Sequence, residues 1–126
     1  MSETSHFITV VDDDSLFLRA LERLLSARSW ATKTFASGPQ FIASLTDGLP
    51  NCLILDLQMP EMSGLEIQQA LLRKNIKIPT IIVSSNSDAT MRQRCISAGA
   101  VAYLRKPVRR AELFKAIEAA ALDGSV

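Results

Sequence analysis

The sequence predicts a doubly wound α/β domain built on a five-stranded parallel sheet. Short apolar, β-branched runs alternate five times with longer amphipathic segments, as in consecutive strand–helix units. Several of the strand runs are almost unbroken in Val, Ile and Leu, which is typical of strands buried on both faces. The chain has 126 residues, the size of one domain.

The first two units occupy the N-terminal part of the chain. Phe7–Val11 predicts the first strand. Asp14 is a suitable N-cap for the first helix, and leucines at positions 18, 21, 24 and 25 fall on one face of it. Ala31–Phe35 predicts the second strand, and residues 39–48 predict a short helix.

Three further units follow in the same order. The predicted strands are Cys52–Leu55, Thr80–Val83 and Ala100–Leu104. The predicted helices are Leu65–Leu72, a helix capped by Asp88 that runs through Ala98, and Arg110–Leu122. Gly99 suits the position after the helix end, where a positive φ is common.

Composition excludes several classes of protein. The formal charge of +1 argues against a nucleic-acid-coating protein, and no apolar run is long enough to span a membrane. Cys52 and Cys95 have no zinc-ligand spacing. Residues 1–6 lack the basic and apolar regions of a signal peptide. We therefore expect a soluble, cytoplasmic protein with two reduced, packed thiols and no direct contact with nucleic acid or membrane.

Polar side chains gather where the predicted strands end. Asp12 and Asp13 follow the first strand, Asp56 the third, Ser84 the fourth and Lys106 the fifth. Ligands bind outside the carboxyl ends of strands in open α/β sheets, at the point where the strand order reverses. In the order 2-1-3-4-5, strands one and three are neighbours, and the three aspartates would share one pocket.

Such a pocket needs positive charge. Two unit charges about 4 Å apart interact by about 4 kcal/mol at an effective dielectric constant of about 20. Mg²⁺ prefers oxygen ligands from one or two carboxylates together with water and phosphate oxygens, and Lys106 supplies a second positive point. Carboxylates, a metal ion, an ammonium and a hydroxyl together suit phosphoryl chemistry.

These segments resemble a known family, the receiver domain of two-component response regulators. The resemblance covers roughly residues 7–122 and implies the flavodoxin-like fold. It rests on four segments in this order: Val10–Asp14, Leu53–Pro60 with Gly64, Ile82–Ser85, and Lys106-Pro107.

The resemblance also implies roles for individual residues. Asp56 matches the aspartate that accepts a phosphoryl group, and Lys106 matches the lysine that pairs with a phosphoryl oxygen. Ser84 matches the hydroxyl that meets the installed phosphoryl group, and Tyr103 matches an aromatic switch. The implied Mg²⁺ ligands are the carboxylates of Asp13 and Asp56, the backbone carbonyl of Gln58 and, through water, Asp12.

By the same resemblance, the chain is a signalling protein that assists its own phosphorylation and dephosphorylation and is not a classical enzyme. The expected phosphodonor is a sensor histidine kinase or a histidine phosphotransfer protein. Phosphorylation is expected to change the surface formed by helix 4, strand 5 and helix 5, which would control an output domain or partner and could also form a homodimer. We expect no output domain within this sequence. Residues 1–6 are expected to be a tail, and residues 123–126 a tail or the start of a linker.

Two alternatives stay open from the residues. The Asp-x-Asp at Asp12–Asp14 also occurs in phosphatases of the haloacid-dehalogenase type, which would place the phosphoryl group on Asp12. A module that keeps only the fold would bind no Mg²⁺ and would ignore phosphodonors. Without the resemblance, Tyr103 is expected to keep its hydroxyl in solvent.

Overall fold

A computed structural model describes residues 6–86 and 88–124, with side chains through residue 120. Five parallel strands form one sheet in the order β2-β1-β3-β4-β5, which confirms the predicted fold class and strand order. The strands are β1 (Ile8–Val11), β2 (Thr32–Phe35), β3 (Cys52–Asp56), β4 (Thr80–Ser84) and β5 (Ala100–Arg105). The helices are α1 (Ser15–Ala27), α2 (Gly38–Ser44), α3 (Gly64–Arg73), α4 (Ala89–Ser97) and α5 (Arg110–Gly124), with a 3₁₀ turn at Leu45–Asp47.

The strand register brings the carboxyl ends of β1 and β3 side by side. Val11 pairs with Leu55 of β3 and, on its other side, with Phe35 of β2. The chain leaves β1 toward β2 but reaches β3 on the opposite side of β1. The crevice predicted from the strand order therefore lies between the ends of β1 and β3.

Each face of the sheet is covered by its own layer of helices. On one face, α1 and α5 bury leucines such as Leu25 and Leu113 against β1, β3 and β4. On the other, α2, α3 and α4 bury side chains such as Phe41, Ile67 and Cys95. Full burial of a Leu, Ile or Phe side chain contributes about 1.5–3 kcal/mol each, so these two layers hold the strand ends in fixed positions.

Side-chain caps start the helices that border the crevice. Asp14 Oδ1 accepts hydrogen bonds from the backbone N–H groups of Leu16 and Phe17, and Asp88 Oδ1 accepts one from Thr90. Both predicted caps are confirmed. Each cap satisfies amide groups that the first turn of a helix leaves without an intrahelical partner.

Several element ends differ from the prediction by one or two residues. Asp56 and Ser84 are the last residues of their strands rather than the first residues beyond them, because Asp56 pairs with Val83 and Ser84 pairs with Arg105. The first two strands begin one residue later than predicted, and α5 extends to Gly124, so it includes the start of the predicted C-terminal tail. The predicted N-terminal tail lies outside the described residues except for His6, which is exposed.

Both thiols are free and buried, as predicted. Burial raises the pKa of Cys52 to about 12 and also raises the pKa of Cys95. Both sulfurs therefore stay protonated and inert at neutral pH. Within the part of the chain that the structure describes, no helix combines the length and apolar character needed to cross a bilayer.

Candidate functional site

The structure brings the three strand-end aspartates together. One carboxylate oxygen each from Asp12, Asp13 and Asp56 lies within 4.8 Å of the others. Asp12 and Asp56 are buried, whereas Asp13 is exposed at the mouth of the crevice. The predicted proximity is present, and its cause is the adjacency of β1 and β3 in the sheet.

Asp12 has both carboxylate oxygens engaged. Its Oδ1 accepts a hydrogen bond of 2.9 Å from the backbone N–H of Asp14, and its Oδ2 accepts one of 2.8 Å from Lys106 Nζ. The residue has no exposed surface. A carboxylate held this way is a fixed negative charge beneath the pocket and has little freedom to take a further ligand directly.

Lys106 bridges two of the aspartates. Besides its bond to Asp12, its Nζ lies 3.4 Å from Asp56 Oδ1. Burial by itself would lower the pKa of Lys106, but hydrogen bonds and charges of Asp12 and Asp56 outweigh it and raise the pKa above its ordinary value. Lys106 is therefore a permanent cation inside the site.

Asp56 is held in an unfavourable electrostatic environment. Burial and, next, the charge of Asp12 raise the pKa of Asp56 to about 6, although Lys106 opposes the rise. One lysine does not neutralise three clustered carboxylates. The crevice retains excess negative charge, which a divalent cation with oxygen ligands would relieve.

The fourth strand contributes a buried hydroxyl. Ser84 has no exposed surface, and its Oγ accepts a hydrogen bond of 2.9 Å from the backbone N–H of Asn86. The backbone carbonyl of Ser84 accepts a second bond of 2.9 Å from the amide of Lys106. The strand end of β4 is thus tied to the residue that follows β5.

Tyr103 is connected to the same loop. Its hydroxyl donates a hydrogen bond of 3.0 Å to the backbone carbonyl of Asn86, and the side chain is half-buried on β5. The expectation of a solvent-facing hydroxyl is therefore wrong. The backbone carbonyl of Asn86, two residues beyond the end of β4, lies within hydrogen-bonding distance of Tyr103 on β5, and periodicity along the strand does not reveal that approach.

The loop after β3 is fixed by a close backbone approach. The amide of Gly64 donates a hydrogen bond of 2.9 Å to the carbonyl of Leu57. A Cβ on Gly64 would lie 2.5 Å from the backbone oxygen of Asp56, so only glycine fits there. Gln58 is exposed on this loop, two residues beyond Asp56.

Sequence reasoning missed two sets of contacts next to the site. The ring of Phe17 lies 4.4 Å from Lys106 Nζ, measured to the ring centroid. Asn86 links Ser84 to Tyr103 through its backbone amide and carbonyl. The sequence signal for Phe17 was its place in the first helical turn after the aspartates, and the backbone bonds of Asn86 left no signal at all.

Comparison with known proteins gives consistent matches along the chain. The family model for the response regulator receiver domain matches residues 8–118. The response regulator protein TodT of Pseudomonas putida is 39% identical over 120 residues, which cover 95% of this chain and 53% of that protein. The transcriptional regulatory protein FixJ of Rhizobium meliloti is 32% identical over 117 residues, which cover 93% of this chain and 57% of that protein.

Solved structures give the same result. The crystal structure of FixJ-N aligns with a TM-score of 0.88 at 30% identity and covers 100% of this chain and 99% of that one. A response regulator receiver protein from Burkholderia phymatum aligns with a TM-score of 0.81 at 37% identity, covering 92% of this chain and 94% of that one. The chain spans about half the length of the curated relatives that it matches.

Proposed function

The chain belongs to the response regulator receiver domain family, which places it in two-component phosphorylation signalling, and we propose that Asp56 is the residue that accepts the phosphoryl group. One observation carries this proposal. Asp56 ends the central strand β3 in a crevice shared with Asp12 and Asp13, and Lys106 Nζ lies 3.4 Å from its carboxylate. We propose that the domain extends over residues 7–122. We also propose that the protein acts in the cytoplasm.

The proposed reaction is a transfer from phosphohistidine on a sensor histidine kinase or a histidine phosphotransfer protein. A carboxylate oxygen of Asp56 attacks phosphorus, the new O–P bond forms, and the P–N bond breaks with its electron pair leaving on the histidine nitrogen. A carboxylate is a weak nucleophile, so alignment and charge neutralisation supply most of the acceleration. Lys106 stabilises negative charge on a phosphoryl oxygen.

The residues present fit Mg²⁺. Three carboxylate oxygens converge within 4.8 Å, and oxygen ligands are those that Mg²⁺ prefers. Because both oxygens of Asp12 already accept hydrogen bonds, Asp13 and Asp56 are the proposed direct ligands, with the Gln58 carbonyl, and Asp12 would act through water. When bound, Mg²⁺ would neutralise the carboxylates and the phosphoryl oxygens.

We also propose a route from the site to the surface. An acyl phosphate on Asp56 adds acceptor oxygens to which the Ser84 hydroxyl can donate a hydrogen bond. Drawing Ser84 inward would disturb its bond from the Asn86 amide, and the Asn86 carbonyl in turn holds Tyr103. Tyr103 would then move and change the α4–β5–α5 surface, through which the domain would dimerise or control an output domain or partner.

The phosphatase alternative is not favoured. It requires an accessible nucleophile at Asp12, but Asp12 is fully buried and both of its oxygens accept hydrogen bonds. The protein is a signalling receiver, and we propose that the same residues assist both its phosphorylation and its dephosphorylation.

Incubation with acetyl phosphate and Mg²⁺, followed by phosphate-affinity gel electrophoresis, tests the proposal. Asp56→Asn is expected to abolish the shifted band. Asp14→Asn is the matched control, because it makes the same chemical change at an exposed cap and should leave labelling intact. Undiminished labelling of Asp56→Asn would defeat the proposal.

A further inference from the structure

Phe17 is the aromatic residue in contact with the site's lysine. Its ring centroid lies 4.4 Å from Lys106 Nζ. We infer that Phe17 is a positioning residue for phosphoryl transfer, whose ring holds the Lys106 ammonium toward the phosphoryl group. This inference rests on the proposed function, since it assigns Phe17 a role in that same reaction.

A closed circuit of contacts fixes the ring relative to the acidic pocket. The Asp14 amide donates to Asp12 Oδ1, and the Phe17 amide donates to Asp14 Oδ1. The Phe17 ring then faces Lys106, whose Nζ donates to Asp12 Oδ2. This chain of contacts begins and ends on the Asp12 carboxylate. Asp12 therefore anchors both the helix start that carries the Phe17 ring and the ammonium of Lys106.

Packing limits the movement of the ring. Phe17 is half-buried and packs at the edge of the core layer under α1 and α5, a layer that includes Leu21 and Leu113. Lys106, by contrast, has a flexible four-carbon stem and a side chain that is 23% exposed. A fixed ring beside this flexible stem restricts the orientations of the lysine side chain and removes part of the hydration of its ammonium.

The chemistry of the ring makes this a specific role. An aromatic face attracts a cation through its quadrupole, which an aliphatic side chain of similar size cannot do. When a phosphoryl group arrives, Lys106 must turn from its aspartate partners toward a phosphoryl oxygen. The ring stays in contact with the ammonium during that exchange and keeps it out of bulk solvent.

The central test compares Phe17→Leu with Phe17→Tyr. Leu keeps apolar volume and removes the aromatic face, whereas Tyr keeps both. With acetyl phosphate at saturating Mg²⁺, we expect Phe17→Leu to slow phosphoryl uptake about three- to tenfold and Phe17→Tyr to stay within about twofold of wild type. Leu16→Ala is the matched control, since Leu16 lies in the same turn and is 72% exposed. An unchanged rate in Phe17→Leu, or an equal loss in Phe17→Tyr, would overturn the inference.

A double-mutant cycle separates positioning from a general structural effect. If Phe17 acts through Lys106, Phe17→Leu should change the rate by less than about twofold when it is added to Lys106→Ala. A further loss of the same size as in the wild-type background would show an independent, structural role and refute the inference.

A third readout does not depend on activity. The Phe17 ring should shift the NMR signals of the Lys106 ε-methylene protons upfield, and this shift should vanish in Phe17→Leu and persist in Phe17→Tyr. Failure of wild-type protein to take up a phosphoryl group would contradict the proposed function. An absent ring-current shift in wild-type protein contradicts only the positioning role.

Discussion

Replacing Asp56 with asparagine should make the metal-free protein more stable. The pKa of Asp56 is raised from 3.8 to about 6, mainly by burial and then by the charge of Asp12. A neutral amide of nearly the same shape removes the charge that causes both effects. The ionised form of Asp56, the proposed phosphoacceptor, therefore destabilises the folded state.

The magnitude follows from the pKa. One pKa unit corresponds to about 1.4 kcal/mol, so ionised Asp56 costs the folded state up to about 3 kcal/mol at neutral pH. Since the folded protein keeps its proton to a higher pH than the unfolded chain, this cost is absent below about pH 4 and grows until about pH 6. We expect Asp56→Asn to raise the free energy of unfolding by about 1–3 kcal/mol near pH 7.5 and to change it little at about pH 4.

Urea unfolding in EDTA measures the effect. Trp30 packs edge-on against Phe114 with ring centroids 5.8 Å apart, so its fluorescence reports loss of the core layer. Asp14→Asn is the control and should stay within about 0.5 kcal/mol of wild type. Added Mg²⁺ should stabilise the wild type alone and so reduce the difference in free energy of unfolding between Asp56→Asn and wild type. If Asp56→Asn were no more stable than wild type in EDTA near neutral pH, the electrostatic account of the crevice would be wrong.

Three further predictions concern the same crevice. Lys106→Ala should slow phosphoryl uptake yet tighten Mg²⁺ binding in calorimetric titration, because Nζ lies 2.8 Å from Asp12 and 3.4 Å from Asp56 and repels a cation there; weaker Mg²⁺ binding would count against this arrangement. Mg²⁺ affinity should fall as the pH drops below about 6, about tenfold per unit, since protonated Asp56 is a poor ligand, and a flat profile between about pH 7 and 5 would contradict that. Gly64→Ala should destabilise the fold by about 1–3 kcal/mol in urea unfolding, because its Cβ would lie 2.5 Å from the Asp56 carbonyl, and a neutral effect would contradict the close approach.

The sheet was accessible from sequence because its three inner strands, β1, β3 and β4, are short, fully buried runs rich in Val, Ile and Leu. Their alternation with amphipathic helices led to the correct fold class and strand order. The exact ends of the strands were harder to predict from the sequence. Asp56 and Ser84 belong to their strands because neighbouring strands pair with them, and polar residues at a strand end carry no periodic signal of that pairing.

The location of the site followed from the same reasoning, but its contacts did not. Parallel strands deliver Asp12, Asp13 and Asp56 to one edge whatever their rotamers. The ring of Phe17 over Lys106 and the bond from Tyr103 to Asn86 depend on side-chain directions in elements far apart in the chain. The position of a residue at a strand end can be predicted from sequence. A contact between side chains of distant segments can be found only in the three-dimensional structure.

Trp30 lies far from the proposed metal site. It lies just before β2, at the amino ends of the strands, whereas the aspartates lie at the carboxyl ends. Its ring packs against Phe114 and Arg28. Its fluorescence suits unfolding measurements. Metal binding is better followed by calorimetry.

Chemical mapping of the phosphorylated residue tests the central claim most directly. Wild-type protein treated with acetyl phosphate and Mg²⁺ is reduced with borohydride, which converts an aspartyl phosphate to homoserine, and its peptides are sequenced by mass spectrometry. The account predicts homoserine at position 56 alone. Homoserine at position 12, or at no position, would contradict it.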